Sequence, residues 1–454
     1  MSQGTEEQLQ ALEELRQQFH LSVEDLKDVA SKLQHEMDAG LKHDQTNVAM
    51  LPSWIMKHPT GQETGEYLGL ELSGSYIRIY LVNLHGQGRI TTRQQKYLID
   101  ENLKKGPVHN IIDFLVTSVD HFLSFVDKND ITEPLPLGFV LSFPLHQTAL
   151  KKATVIQWTK DFEITGAEKK DIAELLQTGL RRRHIPVVVA AVVNGAVGCL
   201  LAHSYRSLDT LLACTISTGT NAAYWEKLEN VQKCKVTDRS GDMIINTEWG
   251  SFGDKNPHYL RRTFYDNRVN RQSTNPGVHL FEKMISGFYL GEIARIIIVD
   301  FLDRRLLFDC QYTKELNTPY RFESAYMSAI TSDDSPDLDD VKHILEAIMN
   351  VPSTTLADRQ IVKKICDLVS KRAARLTAAA MSAIIDSRSA LEQGLTISVE
   401  GDVYVHFPNF PRRVNDALRQ LYGDKVDHIN MGITRDGNGI GAALAAMIAT
   451  THQQ

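Results

Sequence analysis

Two hydrophobic periods alternate along this chain. From Ser22 the spacing is helical: Ser22-x-x-Asp25 offers a reciprocal cap, and Leu26, Val29, Leu33 and Met37 recur every three or four residues. This predicts an amphipathic helix ended by Gly40, its apolar stripe docked on a domain surface rather than offered to a partner. The polar stretch that follows, with Pro52 and Pro59, reads as a linker. From Glu66 the period shortens. Residues 67–72 and 77–82 read as two strands about the turn Ser73-Gly74-Ser75, and the apolar runs 135–142 and 187–193 suit inner strands. Helical patterns over 108–126 and 169–182 separate them. Strands alternating with helices predict an α/β domain with its ligands at strand ends.

A second strand-and-turn unit starts at Leu211 and carries Ser217-Thr218-Gly219-Thr220-Asn221. A long helical half runs from Leu280 to Met381, then a strand over 395–399 and the glycine-rich turn Asp436-Gly437-Asn438-Gly439. The small apolar residues 440–449 predict a tightly packed helix. A small-residue turn after a strand in each of two units points to a duplicated phosphate-binding design.

Composition narrows the class. With 454 residues, 43% hydrophobic and 23% charged, the chain has material for two or three globular domains. The longest nearly unbroken apolar run, 185–193, is far short of the ~20 residues of a membrane helix. The opening residues, with Glu6 and Glu7 and no apolar core, predict no secretory leader. Five cysteines without a close pair predict reduced thiols in a cytoplasmic protein, not a disulfide framework or zinc site. A net charge of −7 gives no electrostatic case for nucleic acid. Arg181-Arg182-Arg183-His184 is read as helix-terminal cations complementing the dipole, with nuclear import the lesser reading.

The motifs go further. Leu135-Pro136-Leu137-Gly138-Phe139, Leu141-Ser142-Phe143-Pro144, Trp158-Thr159-Lys160, Val193-Asn194, Thr218-Gly219-Thr220-Asn221, Asn246-Thr247-Glu248-Trp249-Gly250, Phe281-Glu282-Lys283-Met284, residues 369–374 and residues 437–443 occur in this order. In content and order they resemble the hexokinase family over nearly the full length. The resemblance implies a two-lobed α/β fold of duplicated, actin-like ATPase or ribonuclease H-like domains, with a sugar cleft between the lobes and ATP at its mouth. It implies a small lobe over 64–209 and a large lobe over 210–434. The N-terminal 1–63 would pack on the large lobe, and 435–454 would return as a helix to the small one.

The hexose ligands the resemblance implies are Ser142, Thr159, Lys160, Asn194, Asn221, Glu248 and Glu282, all of the family's residue type. Val278-His279 stand where the family often has Gln-Gln, which bears on affinity or hexose preference. The phosphoryl half departs further. Where the family reads Val-Asn-Asp, with Asp the general base, this chain reads Val193-Asn194-Gly195, and glycine accepts no proton. Asp161 and Asp242 are near in motif order but outside that loop. The family's first phosphate loop, Asp-Leu-Gly-Gly-Thr-Asn-Phe-Arg, is here Glu71-Leu72-Ser73-Gly74-Ser75-Tyr76-Ile77-Arg78. The second begins with Ser217 in place of Gly, and the adenosine segment reads Gly401-Asp402-Val403-Tyr404.

Glu71, Gly74, Ser75, Arg78, Thr218, Gly219, Thr220, Ser324, Ser328 and Gly401 remain as residues for a weak nucleotide site, with ATP and magnesium as doubtful cofactors and no resident metal site. Substitutions clustered on the phosphoryl half, with the sugar half kept, resemble the atypical non-catalytic fungal members. The expectation is a hexose-binding carbon-source sensor or regulator with an unidentified protein partner. Two alternatives stand beside it: an active ATP:hexose 6-phosphotransferase for glucose, fructose or an amino sugar with a relocated base, and a scaffold without ligands.

Overall fold

The computed structural model describes residues 4–128, 131–158 and 162–451. Two sheets dominate it, and they repeat one plan. In the first, strands Thr64–Leu72, Tyr76–His85 and Ile90–Leu98 form an antiparallel meander, and Leu135–Leu141 and Val187–Asn194 add in parallel beside Thr64–Leu72. In the second, Thr210–Ile216, Thr220–Lys227 and Asp242–Asn246 form the meander, and Leu395–Glu400 and Ile429–Ile433 add in parallel beside Thr210–Ile216. The shared topology is the duplicated, two-lobed α/β fold that the motif resemblance implies.

Side-chain alternation then decides what each strand offers to each face. On Thr64–Leu72, Leu68, Leu70 and Leu72 join the core under helices Val108–Phe125 and Ile172–Arg182. Gly69 and Glu71 therefore face the other way, toward the C-terminal helix Gly437–Thr450. On Tyr76–His85, Ile77, Ile79 and Leu81 take the first face, which leaves Arg78 and Tyr80 on the second. The C-terminal helix packs at backbone contact: a Cβ on Gly69 would lie 2.1 Å from Gly439 O, one on Gly138 1.8 Å from Ala442 O, and one on Gly441 1.9 Å from Gly198 O. A single added methyl at any of these has nowhere to go.

In the large lobe, helix Leu356–Arg388 is the central support, and helices Glu6–Phe19 and Val23–Lys42 pack against it. Ser22 and Asp25 form the expected capping box, but the helix does not end at Gly40. Gly40 lies inside it because a Cβ there would meet Val48 O at 2.2 Å, so its role is close approach. The presumed linker is also structured. Leu51–Pro52 pairs with Asp242–Asn246 as the edge strand of the second sheet, Ser53 Oγ donates to Ile244 O (2.7 Å), and Trp54 Nε1 donates across to Gln147 O (2.9 Å). It is a strap between the sheets. Val187–Asn194, expected as an inner strand, is an edge strand buried by the helices around it. Gly437-Asn438-Gly439 is not a free turn but the first turn of the C-terminal helix, entered through the left-handed Asp436 (φ 55°). No helix among the described residues is long and apolar enough to cross a membrane.

Candidate functional site

Strand ends and the loops after them deliver a set of amides and carboxylates on the large lobe. Asn221 is the second residue of strand Thr220–Lys227, Asn246 closes Asp242–Asn246, and Glu248 follows in left-handed backbone (φ 55°). Their side chains fix one another. Asn221 Nδ2 donates to Asn246 Oδ1 (2.8 Å) and Glu248 Oε1 (3.0 Å), and Asn246 Nδ2 donates to the same carboxylate oxygen (2.8 Å). Glu282 is anchored separately, its Oε2 accepting from Thr220 N at 2.9 Å. A Cβ on Gly219 would stand 2.8 Å from that oxygen, so the loop's glycine makes room for the acid. Among the described residues no donor reaches Glu248 Oε2 or Glu282 Oε1, which leaves two oriented acceptors. Burial raises the Glu248 carboxyl above its ordinary value, and the charge on Glu282 adds to this; Asn246, His279 and Asn221 pull the other way. His279, in left-handed backbone, faces Ser251 Oγ at 3.4 Å, and its N–H is held by Asp254 (2.9 Å).

The small lobe supplies a second group. Ser142 follows strand Leu135–Leu141, and Asn194 ends Val187–Asn194. Asn194 caps the helix Gly195–Ser204, its Oδ1 accepting from Ala196 N (3.0 Å), while Nδ2 donates to Phe143 O (3.2 Å). Of the seven residues expected to contact hexose, Asn221, Glu248 and Glu282 thus form one assembly, and Ser142 and Asn194 lie on the opposite lobe. Thr159 and Lys160 lie outside the described residues, as does Asp161. Asp242 is committed elsewhere, to Arg388 (3.3 Å) and His58 (2.9 Å).

Gly195 is the first residue of the helix that Asn194 caps. Near it sits a polar network that joins the strands of the first phosphate loop to Glu400 and to the start of the C-terminal helix. Asn438 Nδ2 donates to Glu71 Oε1 (2.9 Å), Cys199 donates to Glu400 with its Sγ 3.4 Å from Asn438 Oδ1, and Arg78 Nη1 donates to Asp436 Oδ1 (2.8 Å) and Tyr80 Oη (2.9 Å). Burial pushes the Glu400 carboxyl up to about 7, with the charges of Glu71 and Asp436 adding to the rise. Two cations lie over the Tyr76 ring, the Arg78 guanidinium carbon at 5.1 Å and Lys96 Nζ at 4.1 Å. Arg78, expected to meet phosphate, is therefore already held by an aspartate, a phenol and a ring face. Gly74 and Ser75 form the half-buried and exposed tip of the first loop. Among the described residues no three His, Cys, Asp or Glu side chains are grouped to hold a metal ion.

The remaining nucleotide candidates meet on the large lobe. Thr218 is exposed, and Ser217 O and Thr218 O accept from Gly287 N (2.7 Å) and Phe288 N (3.2 Å). A Cβ on Gly287 would touch Ser217 O (3.1 Å) and Ser324 Oγ (3.5 Å), and one on Gly401 (φ 119°) would collide with Ile216 O at 2.3 Å. Ser328 Oγ donates to His406 O at 3.4 Å. Asn246, Asn438, Glu400 and Cys199 were not singled out from the sequence. The two asparagines lie in motifs that carry the resemblance, so the signal was present.

Two sequence models of the hexokinase family match this chain, over residues 11–205 and 211–448. The chain belongs to the hexokinase family. It is 34% identical to the hexokinase of Kluyveromyces lactis over 452 residues, covering 97% of this chain and 92% of that one. Hexokinase-1 of Saccharomyces cerevisiae is 32% identical, with 99% and 94% covered. Among solved structures, a hexokinase from Schistosoma mansoni complexed with glucose superposes with a TM-score of 0.88 at 31% identity, over 98% of this chain and 99% of that one. Gly195 and the two small-residue loops thus stand in a fold that matches the family over nearly the whole chain.

Proposed function

We propose that this hexokinase-family chain binds a glucose-type hexose between its lobes, transfers phosphoryl groups to it poorly, and acts as a sugar-responsive regulator rather than a metabolic kinase. The observation that carries this reading is Gly195 at the start of the helix capped by Asn194, and the mutual bonding of Asn221, Asn246 and Glu248 supports the hexose part of it. Each sugar hydroxyl in a closed cleft needs a partner, because an unpaired buried one costs about 1–3 kcal/mol. Glu248 Oε2 and Glu282 Oε1 are the acceptors for that task, with Asn221 and Asn246 holding Glu248 in register. Closure of the lobes on the sugar would present a different surface to a protein partner, and the sugar biases that equilibrium only by binding the closed form better.

Nothing at position 195 can take the proton of the attacking hydroxyl, a loss of about 10²–10⁴ in rate. Magnesium, when it arrives with ATP, would neutralise charge on the phosphates. This chain's own contribution there is weakened: Arg78 is tied to Asp436, and the acidic side chains of Glu71 and Asp436 stand where a polyanion would have to approach. A sugar titration of the purified protein and a coupled phosphotransferase assay test the reading together. Hexose binding with turnover at least about 10²-fold below an ordinary hexokinase is expected. Turnover within about tenfold of such an enzyme, or no binding of any hexose, overturns it.

A further inference from the structure

Gly195 is not followed by empty space. A Cβ built on it would lie 3.1 Å from Asn438 Oδ1, with Asn438 Cγ at 3.6 Å and Nδ2 at 3.7 Å. The first of these distances is closer than ordinary carbon–oxygen contact, and a carboxylate at this position would have to extend ~2 Å beyond the Cβ. The amide cannot easily withdraw. Its Nδ2 is bonded to Glu71 Oε1 (2.9 Å), its Oδ1 lies 3.4 Å from Cys199 Sγ, and its backbone belongs to the helix turn packed on Gly198. Turning the amide over would aim its oxygen at the Glu71 carboxylate, which is repulsive. As it stands, it aims an acceptor at the place a carboxylate would occupy.

We infer that Asn438 is a positioning residue that fills the side-chain volume at 195 and holds the phosphate end in an arrangement from which a general base is sterically and electrostatically excluded. The inference rests on the reading of Gly195 as the missing base. It extends that reading: the lesion is a pair, Gly195 with Asn438, and restoring one member leaves the other in the way. The Asn438–Glu71 bond carries the effect to the first phosphate loop, since Glu71 stands on the strand that leads into Ser73.

The test is a double cycle on the full chain. Gly195→Ala, which in an unobstructed helix start should stabilise modestly, is expected to lower the melting temperature by about 2 °C or more in the parent. In an Asn438→Ala background the same substitution is expected to be neutral or stabilising. Gly195→Asp is expected to raise kcat for hexose phosphorylation less than about threefold in the parent. In the Asn438→Ala background it should raise it at least about tenfold, with the hexose KM unchanged within about threefold. Asn438→Ser replaces Asn438→Ala if the latter does not fold. Equal thermal shifts of Gly195→Ala in the two backgrounds, or equal kcat gains of Gly195→Asp, overturn the inference. A parent that already turns over hexose rapidly overturns the proposed function instead, and the thermal cycle still reports on Asn438.

Discussion

Replacing Glu248 by glutamine removes a charge while keeping nearly every local contact. Glu248 Oε1 accepts from Asn221 Nδ2 at 3.0 Å and Asn246 Nδ2 at 2.8 Å, and a glutamine oxygen can accept both. The glutamine NH2 then takes the position of Oε2, where a donor faces the sugar instead of an acceptor. One hydrogen bond to a charged group is lost, at about 1.5–3 kcal/mol, or roughly 10- to 150-fold in hexose Kd. The pH dependence gives a second reading. Burial lifts the Glu248 carboxyl above its ordinary 4.5, so in the parent the accepting form is present at higher pH and disappears as pH falls through that raised value. Hexose affinity should therefore weaken on acidification sooner than an exposed glutamate would require, and Glu248→Gln should flatten that limb. Calorimetric or tryptophan-fluorescence titration with glucose between pH 4.5 and pH 8 measures both effects. A glutamine variant that binds within about threefold of the parent at pH 7.5 would show that Glu248 is not a sugar acceptor.

Glu400 offers a stability test. Its carboxyl rises from 4.5 to about 7 on folding, so the folded state holds a proton that the unfolded chain has already released between those values. Stability then falls as pH rises through this window, and Glu400→Gln should gain up to about 3 kcal/mol over the parent at pH 8 but little at pH 4.5. Urea melts at both values check this; an equal gain at both would refute it. Arg372 is expected to be purely structural: it pairs with Asp266 through two bonds of 2.7 and 2.6 Å, with side-chain exposures of 1% and 3%. Arg372→Met should cost about 3–5 kcal/mol by stranding the aspartate, with glucose affinity unchanged in the fraction that folds, as denaturant melts and binding stoichiometry will show.

Period and motif told different parts of this. The strands about Ser73-Gly74-Ser75 and the helix after Ser22 were legible because alternation and capping are local signals. The helix Glu6–Phe19 was missed although Thr5 and Gln8 form a capping box, because its apolar stripe is sparse: Ala11, Leu12, Leu15 and Phe19. Strand Ile429–Ile433 carries a glycine and an asparagine among its five residues and has no clear alternation. Its pairing with Leu395–Glu400 supplies what its sequence lacks. The residues proposed to meet sugar were named through motif order, but the bonds from Asn246 to Glu248 and from Asn438 to Glu71 were not legible. The second joins residues 367 positions apart, and no local pattern encodes such a meeting. Arg372 shows the reverse case, a residue inside a family motif whose place is a buried ion pair rather than the cleft.

The chain's route through the lobes bears on its biosynthesis. Helices Glu6–Phe19 and Val23–Lys42 are translated long before Leu356–Arg388, on which they settle, and Leu51–Pro52 awaits its partner strand at Asp242–Asn246. The small-lobe sheet, complete in its strands by Asn194, keeps Tyr80, Val82, Val140 and Val193 uncovered until Gly437–Thr450 has been made. Each lobe is thus finished by sequence that emerges after most of the other has been translated. Neither can be expressed alone without an apolar face that its own residues do not cover. Until Gly437–Thr450 has been made, the nascent chain exposes surface that invites aggregation, and chaperones would be expected to attend it.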